Sequence, residues 1–167
     1  MQPPPDAPGI ELARELSRGR ERPNHPMNTT NVQQIQNHLG RTLRRGGRPA
    51  ELITYAPEFV DLVWPAETGM PRQTIHDRAI HAHRLLTAAV AALEQPHSEA
   101  MGIMLCLWPG TLGLSLDQRR ERAARLFGVQ PDTFRRPAHE GHLVLNLALE
   151  IYQRVQERHD RRRTLPT

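Results

Sequence analysis

The sequence contains no lysine, and all 22 of its basic residues are arginine. It has a single cysteine, Cys106, so no disulfide can form within the chain, and a thiol set in an apolar run reads as a buried structural residue. Aromatic side chains make up only 4% of its 167 residues, which argues against a stacking platform for single strands or RNA. No apolar run approaches the roughly 20 residues needed to cross a bilayer. Residues 1–26 lack the apolar central region of a signal peptide. These absences point to a cytoplasmic protein without membrane contact. No Walker or dinucleotide-type glycine loop is present, and Gly46-Gly47 and Gly110 with Gly113 read as turns.

Enzyme chemistry has no local signature either. Ser98, Cys106 and the histidines form no nucleophile motif. His76, His81 and His83 share a helix with Asp77, but the spacing is not that of His-Glu-x-x-His and no cysteine partner lies close. His139, His142 and Glu140 repeat the situation without a third ligand. These read as histidines on a polar face, and no catalytic residue, metal or cofactor is assigned.

What the chain does contain is helical periodicity. Apolar residues are 38% of the sequence, enough for one domain with a modest core. Residues 1–28 hold six prolines and few large apolar residues, the composition of a disordered tail; a short helix at Ile10–Leu16 is compatible with it. Met27 opens a more ordinary sequence and is an alternative start. Thr30 or Asn31 can cap a helix to about Arg45, with Val32, Ile35, Leu39 and Leu43 at helical spacing. Gly46-Gly47 then makes a linker, so residues 29–47 form a helix-and-linker segment. Helices are expected at Pro49–Tyr55, Pro57–Trp64, Pro71–Gln95, Ser98–Trp108 and Ala138–Arg158. The last carries Leu143, Leu147, Ile151 and Val155 four apart. Residues 48–160 form the helical domain, and residues 161–167 a basic tail. No strand pattern and no repeat stand out. The expected fold is all-α, with six to seven helices in a single domain.

One stretch, Ser115–Arg136, has the spacing of a helix-turn-helix unit. Ser115 is a good N-cap and Asp117 suits the first turn. Leu116, Ala123, Ala124, Leu126 and Phe127 alternate with arginines, so one face is apolar and the other arginine-rich. Gly128 ends the first helix, Pro131 opens a second, and Phe134 faces back into the pair. Pro137 ends the second helix after about two turns.

The segment PGTLGLSLDQRRERAARLFGVQPDTFRR resembles one found in many uncharacterised actinobacterial proteins. The matching residues run from Pro109, Gly110, Thr111, Gly113, Ser115 and Leu116 through Arg119, Arg120, Ala123 and Ala124 to Gly128, Val129, Pro131, Thr133, Phe134, Arg135 and Arg136. The resemblance extends over residues 49 to about 158, with specific residues only in the later part. It implies an all-helical, helix-turn-helix-like module of regulatory or adaptor type and no enzyme chemistry. The chain departs from the pattern at Pro137-Ala138, which weakens any transfer of DNA binding.

Charge is unevenly distributed. Residues 1–48 hold eight arginines against four acids, residues 49–114 three against seven, and residues 115–167 eleven against seven. A basic helix-turn-helix beside an acidic middle suits a nucleic-acid face, and a solvated charged surface suits it nearly as well. The leading expectation is a non-enzymatic regulator that binds DNA. Thr133, Arg135 and Arg136 would meet the groove, while Arg119, Arg120, Arg122 and Arg125 hold the backbone. The alternative is a protein-interaction adaptor of a larger bacterial system, docking through the stripe Val32–Leu43. Oligomerisation is compatible with either, and no heptad seam commits the chain to a dimer.

Overall fold

The chain folds into packed helices, seen in a computed structural model that describes residues 30–67 and 73–164. The expectations for residues 1–28 fall outside this range. Eight α-helices follow one another: α1 Val32–Arg45, α2 Pro49–Tyr55, α3 Pro57–Val63, α4 Ile75–Ala92, α5 His97–Met104, α6 Leu116–Leu126, α7 Pro131–Phe134 and α8 His142–Thr164. A π-helical turn, Pro137–Gly141, leads into α8. There is no strand among the described residues, and the all-α class holds.

Local chemistry places most of the helix ends. Asn31, Thr74 and Ser115 cap α1, α4 and α6, and in each case the residue three further on (Gln34, Asp77 or Gln118) bonds back to the cap amide. Such reciprocal boxes satisfy two first-turn donors at once. The Thr74–Asp77 box, not Pro71, sets the visible start of α4. The hydroxyl and amide of Thr74 both donate to Asp77 and hold its carboxyl below the usual carboxylate range. Prolines at the first turns of α2, α3 and α7 start helices without a side-chain cap.

The core runs between α1 and α8, which pack most extensively on each other, with α4 behind them. Leu143, Leu147, Ile151 and Val155 are all buried, as their four-residue spacing predicts, and so are Ile35, Leu39 and Leu43 of α1. That second result revises the adaptor expectation. The α1 stripe is covered by its own domain and is not available for a partner. Ile35, Leu39 and Leu43 belong to the core, with Val32 packed against it. The last helix also continues through Arg161, Arg162 and Arg163, residues expected to form a tail.

Two glycines admit close approaches. Gly46 ends α1 with φ +115° and returns its amide to the Thr42 carbonyl at 2.7 Å. At Gly102 in α5, an added methyl would stand 1.7 Å from Nε1 of Trp108. Alanine is favoured over glycine in a helix by about 1 kcal/mol, but overpacking a filled site costs about 1–3 kcal/mol. Gly102→Ala is therefore expected to lower the urea midpoint, and Trp108→Ala is expected to relieve most of that loss in the double variant. A stabilising Gly102→Ala would show that Trp108 moves aside freely.

Candidate functional site

The helix pair of Ser115–Arg136 has the expected turn but a different second helix. Gly128 takes φ +64°, and the Val129 amide returns to the Ala124 carbonyl at 3.1 Å. Phe134 is fully buried, its ring 5.9 Å from that of Phe127. Helix α7, however, has only four residues. Pro137 restricts the residue before it, and Arg136 is extended at φ −67°, ψ 152°. The roughly two turns expected of this second helix, already short for a groove-reading helix, are reduced to one.

The seven arginine and threonine positions proposed for DNA do not form one surface. Arg119 is only 2% exposed. Its Nη1 donates to the carbonyls of Leu43, at 2.7 Å, and Met104, and its Nη2 donates to that of Arg44 at 3.3 Å. Those carbonyls belong to the last turns of α1 and α5, where helix dipoles concentrate negative charge. Burial pulls the guanidinium below its ordinary value. Arg119 therefore bolts helix ends together and does not reach a phosphate on the surface.

Arg120 is half-buried and grips Glu140 with two parallel bonds of 2.8 Å, which raise its pKa. That contact fastens α6 to the π-helical turn. Arg135 is exposed but pairs with Asp117 at 2.6 Å, and Arg125 pairs with Glu121 at 2.6 Å. Arg122 is exposed and donates to the Gly110 carbonyl at 3.1 Å. Thr133 is half-buried. Of the set, Arg136 alone is exposed without a polar partner among the described residues. Asp117, Glu121 and Asp132 are exposed on the same helices, so the corner carries mixed charge.

Two neighbouring grooves open instead along the polar side of α1. The larger, about 490 Å³, is lined by the apolar Leu43, Leu116 and Val144 and by the polar Gln33, Gln36, Asn37, Arg44, Arg120 and Arg135, among others. The smaller, about 440 Å³, lies between the C-terminal end of α1 and the N-terminal end of α6. Arg44 and Leu116 belong to both. The apolar stripe of α1 is the side that packs inward, and its polar complement, Gln33, Gln36, Asn37 and Arg44, is the sequence signal for the groove.

The histidine positions have other occupations. The His81 ring stacks on Trp64 at 4.6 Å, and His83 Nδ1 lies 2.9 Å from the Gly47 carbonyl. Asp77 is engaged in the α4 cap. Among the described residues there is no group of three or more His, Cys, Asp or Glu side chains placed to hold a metal, and no helix long and apolar enough to cross a membrane. Burial pushes the Cys106 thiol up, away from thiolate chemistry. Comparison with protein-family models, curated proteins and solved structures finds no match.

If Arg119 is a bolt, its loss is a stability defect. Arg119→Met leaves two buried carbonyls and one partly buried carbonyl without this donor, and each unsatisfied buried acceptor costs about 1–3 kcal/mol. Urea denaturation is expected to show a loss of at least about 2 kcal/mol for Arg119→Met, against a change within about 0.5 kcal/mol for exposed Arg122→Ala. Equal effects would contradict the assignment.

Proposed function

We propose that this chain is a non-enzymatic helical adaptor that binds a protein segment in the larger groove beside α1. The reading rests on the anatomy of that groove. A lining that mixes apolar side chains with amides and arginines is the composition of a protein-recognition surface, where arginine is enriched and supplies directional bonds. Arg120 and Arg135 are already oriented by Glu140 and Asp117, which lowers the cost of ordering them when a partner arrives.

The DNA reading has less support. A recognition helix must lie along the major groove and offer several side chains to base edges. Helix α7 offers one turn, and Phe134 in that turn is buried. Arginines with carboxylate partners must also give up those partners to take phosphates, which weakens the electrostatic drive for binding.

The two readings separate in one pair of experiments. A photo-crosslinking residue at Gln36, inside the groove, is expected to capture one discrete polypeptide in cells, while the same residue at exposed Gln153 of α8 captures none. Duplex DNA followed by fluorescence anisotropy is expected to show no binding at about 0.15 M salt, where the screening length is about 8 Å. Binding there that is lost in Arg135→Ala/Arg136→Ala would overturn the adaptor reading in favour of DNA.

A further inference from the structure

The larger groove begins three residues after the point where residues 1–29 join the fold. Thr30 is buried, and its hydroxyl donates to the Leu62 carbonyl at 3.3 Å, so the chain before it enters at a fixed place. From Gln33 the groove wall continues through Gln36, Asn37, Gly40 and Arg44 of α1, over about 17 Å at about 1.5 Å per residue. At Gly40 an added methyl would meet nothing within 4 Å. A helical glycine with open space beside it leaves the backbone bare, and another chain can approach it closely. The lining holds Arg44, Arg120 and Arg135 against the single carboxylate of Glu140. Arg44 has no carboxylate within ion-pair distance among the described residues.

The sequence before Thr30 carries the complement of that lining. Ile10, Leu12 and Leu16 are the only branched aliphatic side chains among residues 1–29, and all three fall within one short stretch. Leu12 and Leu16 stand one helical turn apart with Ala13 on the same side, the spacing of an apolar stripe. Glu11 and Glu15 stand four apart beside it, and Asp6 precedes them, against Arg14 alone. Such a segment offers aliphatic groups to Leu116 and Val144 and carboxylates to the arginines. The apolar cleft of Pro49, Ile53 and Ile80 has no arginine in its lining and does not match the two carboxylates. Reach is ample: the 13 residues between Leu16 and Thr30 extend to about 43 Å. A tether of this kind holds its end at an effective concentration of about millimolar, so modest contacts are enough to keep the groove filled.

We infer that residues 10–16 of the chain itself dock in the larger groove, so that a partner must displace them. This docking rests on the reading of the groove as a protein-recognition site and adds its regulation. The apparent affinity for a partner falls in proportion to the fraction of molecules whose groove is open.

The experiment places a photo-crosslinking residue at Gln36 of the purified full chain, irradiated at low and at high protein concentration. Mass spectrometry is expected to find an intrachain product joining position 36 to residues 10–16, at the monomer mass and in a yield independent of concentration. The same photo-residue at Gln153 of α8 is expected to give no such product. Leu12→Asp/Leu16→Asp removes the aliphatic groups from the segment, and Gly40→Leu fills the groove from the other side, where there is room for it. Each is expected to abolish the product while keeping the helical circular dichroism of the parent. In cells, Leu12→Asp/Leu16→Asp is expected to raise the capture of a separate polypeptide through position 36. An intrachain product lost in both variants supports the docking. A product of dimer mass that grows with concentration overturns it in favour of a second copy of the chain. No product with residues 10–16, or one unchanged in Leu12→Asp/Leu16→Asp, overturns it outright. Cellular capture without the intrachain product overturns the docking and leaves the adaptor reading standing. The intrachain product without cellular capture, even from Leu12→Asp/Leu16→Asp, supports the docking and overturns the adaptor reading.

Discussion

The guanidinium of Arg119 joins three helices at their ends. It projects from the first half of α6 and donates to carbonyls in the last turns of α1 and α5. The last carbonyls of a helix have no partner inside it and carry the negative end of the dipole. A buried arginine satisfies them and takes in return the negative potential that an acidic side chain would otherwise provide. The neighbouring loop uses the same junction, where the Gly47 amide bonds to the Leu105 carbonyl at 2.8 Å. The relative placement of α1, α5 and α6, and with it the shape of both grooves, follows from this junction.

The arrangement redistributes the charge that made the Ser115–Arg136 corner look like a DNA surface. Within that corner, Arg119 is taken into the interior, and Arg120, Arg125 and Arg135 are neutralised by Glu140, Glu121 and Asp117. The unpaired arginines that converge on a cavity lie at the end of α1 instead. Exposed ion pairs contribute little to stability. Their larger effect here is on recognition: they decide which cations are available to a ligand and which are already engaged.

Much of the fold was legible because it rests on short-range chemistry. The four-residue spacing of Leu143 to Val155 marked the buried side of α8. Ser115 and Asn31 as caps, Gly128 as a helix end and Pro131 as a first-turn residue each followed from the backbone groups that a helix leaves unsatisfied. Reading failed where two local signals competed. A proline at 71 and the Thr74–Asp77 pair both suit a helix start, and the described helix begins after the Thr74 cap. The α1 stripe fitted a partner or the domain equally well, since an apolar face specifies burial and not what buries it.

The sequence by itself determined the all-helical class, the positions of most helix ends and the apolar side of the long helices, because these depend on residues within about one turn of each other. It also held a hint about Arg119, which stands three after Leu116 and four before Ala123 and so falls on the apolar stripe of α6. Only the tertiary structure decided that this arginine turns inward. Its acceptors Leu43 and Arg44 lie 76 and 75 residues away along the chain, and they become neighbours only once α1 has docked. The same holds for the grooves. Whether an arginine is a surface cation, half of an ion pair or an internal bolt depends on which acceptors the packed helices bring to it, and one-dimensional spacing carries no information about that.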